Sequence, residues 1–298
     1  MIVGTWLASS LSVDALRKSE SQNLEEVATQ LRDKIEFDLN EQYSNLKVAA
    51  AFTRPHLQLQ QPASVTSLLD ALHANYPSFA WIGLTDPAGK VLASTGSLLL
   101  GADVSQRPWF KQGSQKPYLG DAHEALLLAS KLANTGSAPL RLLDLAVPIR
   151  SDDGTLLGVL GAHLYLDWVA HMGKDLLTPV QQRLHARFLV ADANGVVIIG
   201  PTDSIGKTLP DRLVEQSRDV ESGYLNTRLA LGSDTADAGD YLVGFSRLRN
   251  RADYAGLDWL VLVRKPTSDA FMPARDLERS LIIVSVLVTL AMILFALA

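Results

Sequence analysis

Two stretches of this chain carry the side chains best suited to chemistry. One is Gln106-Arg107-Pro108-Trp109-Phe110-Lys111; the other, further on, is Gly158-Val159-Leu160-Gly161-Ala162-His163-Leu164. A guanidinium held in a cavity selects an anion, because its planar fork matches a carboxylate in two parallel hydrogen bonds. Trp109 and Phe110 would supply apolar walls beside it. His163 is the one ionisable group of an apolar strand. Imidazole titrates near pH ~6.5, so a direct contact with an anionic ligand would raise affinity as pH falls through that value. The two segments read as opposite walls of one small-molecule pocket. Tyr118, Asp121, His123 and Asp144 fall between them and join the candidate set.

Plainer roles compete for these residues. Arg107 could brace its loop against Asp103 or Asp121, Trp109 could be core, and His163 could be an interior histidine bonded to Asp144. Trp81 and Trp259 read as core, and Asp152-Asp153 as turn chemistry. Asp121, His123 and Glu124 invite a metal reading, but their spacing matches no familiar ligand motif and suits the start of a helix equally well. The expectation is therefore no metal and no cofactor. H-E-x-x-H, G-x-S-x-G, a Gly-rich phosphate loop and a cysteine nucleophile are all missing from the sequence, so an enzyme is not expected.

The 298 residues, 47% of them hydrophobic, are enough for two modules. Net charge is −5 with basic residues scattered, which argues against nucleic acid as a partner. With 0 cysteines, disulfides and thiolate metal sites are excluded. Leu281 to Ala298 carries no charge, Pro or Gly and reads as a membrane helix over 280–298. The sequence stops inside that run, which suggests a fragment whose cytoplasmic part has been removed. Residues 1–8 are apolar but short, and read as the stub of a first membrane helix.

Between the ends, periodicity sets out the elements that must position the pocket. No Pro or Gly occurs from Ser9 to Thr53, and Leu24, Ala28, Leu31, Ile35, Leu39, Tyr43, Leu46 and Ala50 recur at helical spacing. The spacing predicts a long helix over 9–60, ended at Pro55, with charges such as Arg32 and Glu36 turned away from the apolar face. Such a helix either lies across a globular domain or pairs with a second copy as a homodimer. A short helix follows (Ser64 to Asn75). Strands are predicted at Phe79–Leu84 and Val91–Ala93 around the Asp86-Pro87-Ala88-Gly89 turn, and at Leu140–Ile149 and Leu156–Tyr165. Pro108 opens a short helix to Gly113, and Asp167 caps another from Trp168 to about Leu184. A turn is expected at Asn134 to Ser137. The strand, Asp-x-x-Gly turn and strand then return at Phe188–Ile199. A helix at Pro210–Ser217 and strands at Tyr241–Arg247 and Trp259–Lys265 follow, so a unit at about 77–165 has a shorter relative at about 186–265.

This layout resembles the double Cache sensor domains of bacterial receptors. The residues that carry the resemblance are Arg107-Pro108-Trp109-Phe110, Tyr118-Leu119-Gly120-Asp121, Leu145-Ala146-Val147-Pro148-Ile149 and Gly158-Val159-Leu160-Gly161-Ala162-His163. The resemblance implies an α+β fold, with two tandem PAS-like modules on a long N-terminal helix and a transmembrane helix after them. It places a ligand-binding distal module at 61–180 and a proximal module at 181–275, outside the inner membrane in the periplasm. The signal would pass to a kinase, a chemoreceptor signalling domain or a cyclic-di-GMP enzyme. The Gly-Ala-His ending and Asp121-Ala122-His123-Glu124-Ala125 look most like the versions on diguanylate cyclases and phosphodiesterases. In the amino-acid-binding members, an arginine at the Arg107 position takes the carboxylate, and aspartates stand where His163 and, nearby, Gln112 stand here. Both departures remove negative charge from the amine end. Burying an unpaired ammonium would cost a few kcal/mol, so an organic acid or a neutral heterocycle is expected in place of an ordinary α-amino acid.

Overall fold

The computed structural model describes residues 2–58, 61–124, 141–170, 172–173, 186–229, 231, 239–248 and 257–297. The predicted turn at Asn134 to Ser137, and the helix beyond residue 173, lie outside them. The fold is α+β: a long N-terminal helix, two antiparallel sheets and a C-terminal apolar helix. The chain divides into two compact units. One is Asp33–Lys174 with Leu248–Trp259; the other is Met1–Arg32, Asp175–Arg247 and Leu260–Ala298.

Helix α1 (Ile2–Gln58) is unbroken from the apolar stub onward and holds Pro55 inside its last turn rather than ending there. A proline so near the C-terminal end forfeits little of the ladder, and the His56 carbonyl accepts the Gln61 N–H at 2.8 Å. All eight residues of the apolar face are buried, from Leu24 to Ala50. Arg32 and Glu36 depart from expectation, since both are buried. Arg32 is only 1% exposed, and its guanidinium donates to Glu221 Oε1 at 2.7 Å. A guanidinium is weakly hydrated and can stay buried once paired.

In the first unit, α2 (Thr66–Asn75) packs on a sheet built from β1 (Phe79–Thr85), β2 (Val91–Ser94), β3 (Tyr118–Leu119), β4 (His123–Glu124), β5 (Arg141–Arg150) and β6 (Leu156–Tyr165). The order is β2-β1-β6-β5-β3, with β4 also paired to β5. The β1–β2 connection is an Asx turn: Asp86 Oδ1 accepts the N–H groups of Ala88 and Lys90, both at 2.9 Å, and Gly89 takes φ +91°. Helix α3 (Pro108–Gly113) lies on β5 and β6. His123 and Glu124 form a short strand, not the helix start that the sequence also allowed.

In the second unit, β7 (Arg187–Ala191), β8 (Val197–Ile199), β9 (Ser222–Arg228), β10 (Asp240–Arg247) and β11 (Leu260–Pro266) take the order β8-β7-β11-β10-β9. That is the strand order of the first sheet, so the weak sequence repeat is a repeat of topology. Helix α4 (Asp211–Gln216) adds Leu213 to its core, with Leu189, Val243, Phe245 and Leu262. Strand β9 has no counterpart in the predicted elements, because Ser222-Gly223-Tyr224-Leu225-Asn226-Thr227-Arg228 is an edge strand with little buried surface and so no apolar alternation. After the single turn α5 (Thr267–Ala270), helix α6 (Met272–Leu297) is strongly apolar and leaves its apolar side chains exposed. Among the described residues it is the one helix long and apolar enough to cross a membrane.

Within this unit α1 lies directly on β10. A Cβ built at Gly244 would stand 2.2 Å from the backbone carbon of Leu24. Neither backbone can give way without displacing its element, so Gly244→Ala is expected to cost at least ~1–3 kcal/mol. Denaturant unfolding of the chain checks this, and an unchanged midpoint would contradict the close packing.

Candidate ligand pocket

Cross-strand register builds the floor of the pocket. Trp81 on β1 lies opposite His163 on β6, and His163 lies opposite Asp144 on β5. One step along, Gly83, Gly161, Ala146 and Tyr118 form the next row. Directly opposed residues share a face, and so do residues two apart on one strand. The period of two sets Gly161 with His163 on β6 and Asp144 with Ala146 on β5, and the register makes these the same face.

Glycine opens this floor. A Cβ at Gly161 would lie 2.4 Å from the Trp109 ring, and one at Gly113 would lie 2.4 Å from the Ala146 methyl. Their absence lets α3 settle on the sheet and lay its indole there. Trp109 and Trp81 then meet edge-on with centroids 6.1 Å apart, and both rings flank His163, at 6.1 Å and 5.3 Å. Above the floor is a cavity of about 340 Å³ lined by Trp81, Leu99, Val104, Arg107, Pro108, Trp109, Tyr118, Asp121, His123, Glu124, Leu142, Asp144 and His163.

Arg107 caps α3 in extended conformation, and its carbonyl accepts the N–H groups of Phe110 and Lys111 at 3.1 and 3.0 Å. That turn aims the side chain into the cavity. Its half-buried guanidinium makes no ion pair or hydrogen bond with any described residue. The bracing role does not occur: Asp103 accepts from the Ser105 N–H, and Asp121 Oδ1 accepts from the Trp259 indole and the Ala122 N–H. Asp144 and His163 are both buried, and His163 Nδ1 donates to Asp144 Oδ1 at 2.5 Å. His123 Nε2 lies 3.5 Å from the same oxygen. Burial, then the charges of Asp144 and Asp121, push the Tyr118 phenol up from its ordinary value.

Of the nine candidate residues, seven line the cavity: Arg107, Trp109, Tyr118, Asp121, His123, Asp144 and His163. Phe110 and Gln112 do not. Helical rotation from Trp109 turns Phe110 into the core and leaves Gln112 exposed to solvent. Trp81, expected in the core, is fully buried and also lines the cavity. Leu99, Val104 and Leu142 were not singled out, and no chemical signal marks them. Nor is the cavity short of negative charge. The carboxylate missing at position 163 returns at Asp144, directly across the strand pair, and Asp121 and Glu124 add two more.

The Cache domain family matches residues 12–274. The chain belongs to that family. Among solved structures, the Cache fold of this chain is shared with the ligand-binding domain of the Pseudomonas aeruginosa amino-acid chemoreceptor PctB in complex with L-Arg. Identity is 18% and TM-score 0.62, over 84% of this chain and 96% of that one. The extracellular domain of a histidine kinase, rpHK1S-Z16, matches at 14% identity and TM-score 0.62, covering 85% and 97%. An extracellular ligand-binding receptor from Desulfohalobium retbaense matches at 13% identity and TM-score 0.55 over 85% of this chain, which spans 40% of that receptor. No curated protein matches the chain.

The raised phenol makes a pH prediction. Tyr118 is expected to ionise above the ordinary tyrosine value of ~10. Asp121→Asn removes one of the charges that raise it, so its titration should move down. The alkaline difference spectrum between the chain and Tyr118→Phe isolates this group. Ionisation at or below the ordinary value would contradict the cavity described.

Proposed function

We propose that this Cache domain is the periplasmic sensor of an inner-membrane receptor, and that its solute binds in the first unit between Arg107 and the Trp81–His163–Asp144 row. The observation that carries the reading is a guanidinium with no partner among the described residues, in a cavity of about 340 Å³ walled by two indoles. A cavity of this size, mostly apolar with a few convergent polar groups, is the ordinary form of a small-molecule site. The solute class that fits best is an organic acid, or a neutral heterocycle with an acceptor for Arg107 and a flat body for the rings. Asp144 Oδ1 already receives His163, so an ammonium would have to compete for it. Asp121 and Glu124 favour a second reading, a zwitterion with its ammonium on those carboxylates, and solved relatives hold L-Arg and L-leucine.

Helix α6 would carry the signal inward. The sequence resemblance favours a cyclic-di-GMP enzyme as output, while solved relatives belong to chemoreceptors and a histidine kinase. The response requires that the solute bind two arrangements with different affinity. Helix α1 also leaves Phe37, Val48 and Phe52 exposed on its surface, which supports a homodimer through that helix.

A thermal-shift screen of organic acids, purines, amines and amino acids, followed by calorimetry, tests the reading. Arg107→Ala is expected to weaken an acid or heterocycle by about ten- to a hundredfold, the equivalent of one charged hydrogen bond of ~1.5–3 kcal/mol. Binding that survives Arg107→Ala unchanged would remove the proposed site, and shifts confined to α-amino acids would select the zwitterion. Phe37→Glu with Phe52→Glu should turn a dimer into a monomer in sedimentation; a dimer that persists would exclude this face.

A further inference from the structure

The structure assigns a divalent transition-metal site to His123, Asp144 and His163 within this cavity. The proposal rests on the side chains themselves and does not depend on the sensing reading. Three adjacent strands deliver the ligands to one face. Asp144 faces His163 across β5–β6, and His123 faces Leu142, two residues from Asp144 on β5. Their ligating atoms lie within 4.8 Å of one another.

The hydrogen bonds supply a second, independent argument. His123 Nδ1 lies 3.3 Å from the carbonyl oxygen of Asp121, so that nitrogen is the donor and carries the proton. In the neutral ring, Nε2 is then a lone pair. It lies 3.5 Å from Asp144 Oδ1, an acceptor, which also receives His163. Two acceptors turned toward one another at that distance are reconciled by a proton on Nε2 or by a metal ion between them, and the second imidazole beside them favours the metal. A backbone carbonyl holding the far nitrogen of a histidine is also the usual outer support of a metal-bound imidazole. Around the site, Trp81 and Trp109 flank His163 with apolar rings, and such a shell limits the access of water.

The donor set fixes the class of ion. Two imidazoles and one carboxylate suit Zn²⁺, Ni²⁺, Co²⁺ or Cu²⁺, whereas Mg²⁺ and Ca²⁺ demand oxygen ligands. Zinc–nitrogen bonds are ~2.0–2.1 Å, so two ligands on one ion stand at most ~4.2 Å apart. The small contraction required falls to His123, which is exposed on a two-residue edge strand; the buried pair must instead part slightly, and ligation through His163 Nδ1 releases to solvent the proton it now donates to Asp144. Three protein ligands leave a position open. Arg107 lines the same cavity, so an anionic solute could place one oxygen on the ion and another on the guanidinium.

The test is a titration of the chelator-treated chain with Zn²⁺ alone, at neutral pH and without organic solute, read by calorimetry and thermal shift. One equivalent is expected to bind, to raise the melting temperature, and to persist against excess Mg²⁺. His123→Gln, on an exposed edge, should fold normally and weaken that equivalent by at least about tenfold. Co²⁺ should give visible absorption of four- or five-coordinate strength, lost in the same variant. Arg107→Ala should retain the metal, which separates this result from a failure of solute binding. Absence of Zn²⁺ binding, or binding unchanged by His123→Gln, would overturn the proposal and leave a proton, not a metal, between His123 and Asp144.

Discussion

The cross-strand row Trp81–His163–Asp144 is the constraint on which the pocket depends. Strand register has a period of two, and a slip of one residue in any of the three strands would turn that strand's member of the row to the opposite face. With the register held, the two residues that flank His163 across the sheet are an indole and a carboxylate, and the next row is almost bare: Gly83, Gly161 and Ala146. Bulk in one row and its absence in the next make a step in the sheet surface. Helix α3 fills the low part with Trp109, and the space left beside it is the cavity.

The polar groups of this cavity are unequal in kind. Asp144 and His163 are buried and satisfy each other, so they are built into the sheet. Arg107 is held only through its backbone, as the cap of a short helix, and its charged end has no partner among the described residues. A guanidinium withdrawn from water without a partner is costly. The protein tolerates it because the group is only half-buried.

Much of the fold was legible in the sequence because its signals are local. The helical spacing from Leu24 to Ala50, the Asp86–Gly89 turn, and Pro108 at the start of α3 each dictate a short-range conformation. Strand β9 was not legible, because an edge strand buries little and carries no alternation. Arg32 was misplaced for a different reason: its burial is permitted by Glu221, far away in sequence. The same limit applies at the pocket. Arg107, Trp109 and His163 announce themselves by type, but Gln112 was carried by analogy and faces solvent. Trp81 reads as core because nothing in the sequence tells which strand will lie beside β6. Asp144 was known as a candidate, yet its role follows only from the register that sets it opposite His163.

On the proposed reading, a solute sits on the step beside Trp109 with its acceptor on Arg107. A crystal structure of the sensor grown with a solute that shifts its melting temperature tests this most directly. Density is expected above Gly161 and beside Trp109, with an oxygen or ring nitrogen ~2.7–3.2 Å from the Arg107 guanidinium. Density in any other place, with Arg107 turned into bulk water, would contradict it.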